Sequence, residues 1–189
     1  MPITKREAHY GSPKELINYI LDEKHDGEKV GIASSINCNL ETAITEYLDI
    51  QKKFNMKGSR VAYHIIQSFS PKDNITPEKA NEIGIRLCKE LYPDFQCVIS
   101  THTDKGHIHN HISINAINLN GRKLEDRLSN EKEGLYGLSD TSDIIAAEYG
   151  CYIMPRKTYF KDAKKDYYYQ YIHLFHLLEY LILQVHQNI

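Results

Sequence analysis

The sequence lacks several features that would have decided its class at once. Its four cysteines, Cys38, Cys88, Cys97 and Cys151, stand singly, with no CxxC pair. That argues against a cysteine-built structural zinc site and against a disulfide framework. It points instead to thiols in a reducing compartment, the cytoplasm. The opening stretch MPITKREAHYGSPKEL has no apolar core of the kind a secretion signal carries. No segment repeats. Positive charge is not in excess: the formal net charge is −2. A generic polycation that coats nucleic acid is thereby excluded, while a local basic site is not. There is no HExxH, which would put two histidines and a hydrolytic glutamate on one helix. No uncharged run is long enough for a membrane span, so none is expected. What is present is ordinary: 189 residues, 41% hydrophobic and 25% charged, enough for one domain with a real core.

Periodicity and turn chemistry divide the chain. Ser12-Pro13 reads as a helix start, with Leu16, Ile17, Ile20 and Leu21 at helical spacing behind it. KVGIASSIN reads as a short strand, and NLETAITEYLDIQKKF as a helix capped by Asn39. RVAYHIIQSFS, from Arg60 to Ser70, is rich in β-branched and aromatic residues and reads as a strand. Thr76-Pro77 opens a helix that runs to Leu91. FQCVISTHT and HIHNHISINAINL read as two strands of a hairpin joined at DKG. NLNGRK is a turn around Asn120-Gly121. A helix is expected within Glu131 to Tyr149, with Gly150 just past its end. CYIMP reads as a short last strand. The pattern as a whole predicts an α+β fold, an antiparallel or mixed sheet with helices packed on it.

THTDKGHIHNHISIN, from Thr101 to Asn115, holds four of the ten histidines. Side chains on a strand alternate faces, so His107, His109 and His111 share one face if the strand begins that early. His102 lies on the preceding hairpin strand, and pairing can bring it alongside. Three neutral imidazoles converging on one point make a site for a divalent transition metal. Asp104 could orient one of them or bind directly. The alternative is a histidine-rich surface turn with no ligand duty.

The pattern His102-x-Asp104-x4-His109-x-His111-x3-Asn115 resembles the three-histidine motif of relaxases, the HUH-type nucleases of conjugative and mobilisable elements. The class is named for a histidine–hydrophobic–histidine pattern, and one departure from it stands out. Between His109 and His111 lies the polar Asn110, whereas the hydrophobic Ile108 lies between His107 and His109. The resemblance runs over roughly residues 1–155. NYIL followed by NCN is similar to the family's first region, and AYHIIQSFSP with the TPEKANEIG helix to its middle region.

The resemblance implies an HUH-endonuclease-like palm over residues 1–156. It implies His102, His109 and His111 as metal ligands with His107 as a spare, and Mg²⁺ or Mn²⁺ as the ion. Tyr19 would be the nucleophile, with Tyr10 competing for the role from the loop before the helix. Asp104 would serve as base or orienter. Asn115, His64, Arg60 and Arg122 would contact substrate; for His64 and Gln67 the alternative is a strand with a polar face. Lys52, Lys53 and Lys57 beside Arg60, and Lys123 and Arg127 beside Arg122, are further candidates for phosphate contact.

The implied chemistry suits these parts. A phosphodiester resists nucleophiles because its oxygens carry negative charge, and a cation held by neutral ligands keeps its full charge to offset this. A tyrosine hydroxyl, with a pKa of about 10, needs such help. Attack would leave the protein joined to a 5′-phosphate and release a 3′-hydroxyl, so a strand could later be rejoined. The implied substrate is single-stranded DNA at an origin of transfer. Accessory mobilisation proteins and coupling or secretion machinery are the implied partners. The rivals are a rolling-circle replication initiator and a non-catalytic, metal-stabilised DNA-binding module. From residue 157 the resemblance stops, and 157–189 reads as a divergent apolar helix or a truncated end.

Overall fold

The computed structural model describes residues 2–21, 30–103, 106–124 and 137–153, all within one unit, Met1–Ile153. The expected helix fade after Leu21, Asp104, Arg127 and the tail from 157 lie outside the described residues. Five strands and four helices appear in chain order: β1 (Ile3–Tyr10), α1 (Pro13–Leu21), β2 (Val30–Ile36), α2 (Ala43–Lys53), β3 (Arg60–Ser68), α3 (Pro77–Leu91), β4 (Cys97–His102), β5 (His109–Asn115) and α4 (Leu138–Glu148). The sheet is antiparallel throughout, in the order β1-β3-β5-β4-β2. The fold is α+β.

Helices cover both faces of this sheet. On one side Leu16, Ile17 and Ile20 of α1 and Ala43 and Tyr47 of α2 pack with Ala62 and Val98. On the other, α3 and α4 bury Ile83, Leu87 and Ile145 against Ile65, Ile99 and Ile112. Central strands β4 and β5 are therefore buried on both faces, with only His102 partly open. That explains why their sequences read as continuous runs rather than as alternating ones.

Local signals account for the element ends. Ser12 Oγ accepts the Lys14 amide at 3.2 Å, and Pro13 begins α1 as expected. Thr76 Oγ1 accepts the Lys79 amide at 3.3 Å at the start of α3. At the end of α4, the Cys151 amide donates to the Ala146 carbonyl and the Gly150 amide to that of Ala147, at 3.1 and 2.9 Å. Gly150 makes this closure at φ +82°, a conformation that costs glycine little.

Four expectations need correction. Residues Ile3–Tyr10 form an edge strand, which places Tyr10 at its end rather than in a loop. Lys5, Arg6 and Glu7 hide that strand from propensity, although edge strands commonly carry such charge. Helix α2 begins at Ala43, because Asn39 instead closes a turn by accepting the Glu41 amide at 2.9 Å. β5 begins at His109, so His107 precedes the strand. Cys151–Ile153 is not a strand.

Candidate metal centre

Register builds the cluster. His102 pairs with His109 across β4 and β5, and Ser100 pairs with His111. Cross-strand partners share a face, so His102, His109 and His111 all project toward the side covered by α1. Their rings stand close: centroids are 5.4 Å apart for His102–His109, 4.8 Å for His102–His111 and 4.9 Å for His109–His111. One ligand nitrogen from each lies within 4.8 Å of the others. His109 and His111 are buried and His102 is partly open.

Each imidazole is oriented through a nitrogen. The Nδ1 of His109 lies 3.3 Å from the His107 carbonyl, and the Nε2 of His102 lies 2.9 Å from the Ile20 carbonyl. A carbonyl only accepts, so those nitrogens carry the proton. The neutral lone pairs then fall on Nε2 of His109 and Nδ1 of His102. The Nδ1 of His111 lies 2.8 Å from Nε2 of His64. Burial pushes the His64 imidazole below its usual value, which favours a neutral ring able to accept from His111. Three neutral imidazoles, each held from outside by a hydrogen-bond partner, are a donor set that fits a divalent transition ion.

Helix α1 brings Tyr19 to this cluster. Leu16, Ile17 and Ile20 seat the helix on the sheet, and the His102–Ile20 contact ties its last turn to the centre. Tyr19 follows on the flank, 46% exposed, so it is not a core aromatic. Its ring stands edge-on to those of His64 and His111, with centroids 5.9 and 5.8 Å apart. Tyr10, 61% exposed, ends β1 opposite Arg60.

Other candidates are not brought to the centre. Arg60 begins β3, at the end away from Ser68, and its Nη1 donates to the Tyr63 hydroxyl at 3.0 Å. Arg122 lies in the turn beyond β5, its amide donating to Asn118 Oδ1 at 2.8 Å. The Lys123 ammonium donates to the backbone carbonyl of Lys57. Asn115 is fully buried. Its Oδ1 accepts from Gln51 at 2.9 Å, and its Nδ2 donates to the Tyr47 carbonyl at 3.2 Å and to Gln96 Oε1 at 2.9 Å. Gln67 faces away from the histidines and is equally enclosed. Sequence reasoning missed the Ile20 carbonyl and Ser100, whose Oγ lies 3.0 Å from His102 Nε2. Ser100 was in principle visible, two residues from His102 on one strand; the carbonyl contact required tertiary structure.

The described cysteines are all free. Burial pushes the Cys38 and Cys151 thiols up to about 11, so neither is an activated nucleophile. No helix among the described residues is long and apolar enough to cross a membrane.

Comparison with known proteins gives concordant matches. A family model described as "Relaxase: MobA/VirD2-like, nuclease domain" matches residues 19–151. A Staphylococcus aureus protein called "Protein rlx" is 30% identical over 156 residues, covering 82% of this chain and 44% of its own length. The "Group II intron-interrupted relaxase LtrB" of Lactococcus lactis is 36% identical over 107 residues, 51% of this chain and 19% of that protein. Against the three Staphylococcus aureus relatives, the chain spans 44%, 43% and 46% of their length. A solved structure described as "Molecular Basis of Vancomycin Resistance Transfer in Staphylococcus aureus" shares the fold, with a TM-score of 0.51 at 13% identity over 85% of this chain and 100% of that one.

Proposed function

The chain belongs to the MobA/VirD2-like relaxase nuclease family, and from that premise we propose that it nicks one strand of DNA at an origin of transfer, through a covalent 5′-phosphotyrosyl intermediate, for conjugative mobilisation. The observation that carries this reading is the half-exposed Tyr19 beside a converging histidine trio. His102, His109 and His111 would hold the ion. When bound, a divalent cation supplies positive charge that polarises a phosphate oxygen and offsets charge building in the transition state. Imidazole donors favour Mn²⁺ over the oxygen-seeking Mg²⁺.

The protein's own groups do the rest. The Tyr19 oxygen forms a bond to phosphorus as the bond to the departing 3′ oxygen breaks. The phenolic proton passes to a base, and the departing oxygen gains one to become a hydroxyl. Asp104 belongs to the same proposal as acceptor of the phenolic proton or as orienter, and His64, beside Tyr19 and hydrogen-bonded to His111, as a contact to substrate. One phosphodiester replaces another, so a 3′-hydroxyl can reverse the step and rejoin a strand. Arg60, Arg122 and the lysines near them would hold DNA phosphates away from the reacting bond. Single-stranded origin DNA in the cytoplasm, accessory mobilisation proteins and coupling machinery complete the proposal.

The test uses a labelled single-stranded oligonucleotide spanning the origin region of the element that carries the gene, with Mn²⁺ or Mg²⁺. A denaturation-resistant adduct is expected from the wild type, and none from Tyr19→Phe or in excess chelator. Binding without an adduct under any metal would establish the non-catalytic module instead.

A further inference from the structure

Strands β4 and β5 are buried on both faces. Such strands lack the inside–outside alternation that ordinarily fixes pairing, because a slip of one residue exposes no apolar side chain. The metal centre nevertheless depends on that pairing. His102 and His109 are cross-strand partners. A one-residue slip would turn one of them to the opposite face and dissolve the trio.

The far side of the sheet supplies a lock. Asn110 lies between His109 and His111 and so points away from them. Its cross-strand partners are Thr101 on β4 and Gln67 on β3. All three are polar and fully buried. Thr101 Oγ1 donates to Asn110 Oδ1 at 2.8 Å. Asn110 Nδ2 donates to Gln67 Oε1 at 2.9 Å and to the Ala80 carbonyl of α3 at 2.6 Å. Asn81 of α3 donates to Thr101 at 3.1 Å, and Gln67 donates to Ser142 of α4 at 2.8 Å. A transverse polar row thus joins three strands and is anchored at each end by a helix. The helix leaves room for it: a Cβ at Gly84 would come within 2.8 Å of Asn110 Nδ2.

Apolar side chains here would bury as well and would tolerate sliding. Hydrogen bonds have direction and a narrow range of length, and buried polar groups are costly unless they are paired. Only the native register completes this set. We propose that Asn110, with Thr101 and Gln67, is a positioning element that fixes the β3–β5–β4 register and thereby holds His102, His109 and His111 at cation-binding spacing. The proposal rests on reading those histidines as ligands. It also accounts for a polar residue standing where the family's name calls for a hydrophobic one.

The test titrates Co²⁺ into the metal-free full chain, reads its visible absorption, and follows thermal unfolding in parallel. Thr101→Val preserves shape and strand preference while removing the hydroxyl. A triple variant, Asn110→Leu with Thr101→Val and Gln67→Leu, replaces the row by apolar residues, a change that often leaves stability intact. Both variants should fold yet bind Co²⁺ more weakly by about 10-fold or more, as when support for ligand orientation is lost, with an altered absorption band. A Thr101→Val protein whose affinity stays within about twofold of wild type, with the same band, overturns the proposal, and this single variant decides if the triple one does not fold. Should wild type bind no Co²⁺, or His109→Ala bind it unchanged, the ligand reading itself falls; that result precedes any variant of the row and is distinct from its failure.

Discussion

Replacement of Asn115 by leucine separates a contact with DNA from a role in the fold. Its side chain is fully enclosed and forms three hydrogen bonds, to Gln51, to the Tyr47 carbonyl and to Gln96. Leucine fills a similar volume but pairs with none of them. Each partner left buried and unpaired costs about 1–3 kcal/mol. Gln51 keeps its bond to the Val61 carbonyl, so the loss falls on the Tyr47 and Gln96 oxygens and should total roughly 3 kcal/mol. That is a large share of the 5–15 kcal/mol typical of a domain. For a unit of this size it corresponds to a fall in Tm of roughly 6–12 °C. Thermal unfolding of the metal-free protein measures it, with oligonucleotide binding recorded well below the lowered Tm. Unchanged stability with weakened DNA binding would refute the reasoning and return Asn115 to the substrate surface.

Other consequences are equally direct. Saturating Mn²⁺, at 100 times its Kd, should stabilise the protein by about 2.7 kcal/mol and raise Tm by roughly 5–10 °C; His109→Ala should abolish the gain, and no rise with any divalent ion would contradict the centre. Burial holds the folded His64 imidazole below its usual 6.5, so its contribution to stability is complete above about pH 6.5 and is lost as pH falls through the lower folded value. The Tm of the metal-free protein should therefore decline as pH falls below about 6.5, less steeply in His64→Gln; equal slopes would count against a neutral His64. Gly150→Ala meets no atom within 4 Å, but its φ is +82°. Its cost is purely conformational, about 1 kcal/mol, and a much larger loss in urea unfolding would contradict the open space around that position.

Elements with a local cause were legible. Pro13 and Pro77 each follow a hydroxyl residue that caps, and both helices start there. Gly150 ends α4 by a closure that any sequence with glycine at that point invites. The hairpin histidines could be grouped because strand alternation is a short-range rule. Illegible features were those set by partners distant in the chain. β1 is recognisable only once it pairs along β3. Asn115 looks like a motif residue until α2 lays Tyr47 and Gln51 over it. His64 approaches His111 because β3 and β5, far apart in order, are neighbours in the sheet. Asn110 reads as an exception to a pattern, and only the opposite face of the sheet gives it a reason.

Peptide mapping of the covalent DNA adduct is the most direct trial of a phenol placed beside a histidine-held cation. Digestion and mass spectrometry should find the nucleotide on the peptide containing Tyr19, in an adduct that requires the metal and is lost in His109→Ala. A nucleotide on Tyr10, or an adduct that forms equally well without His109, would contradict the account.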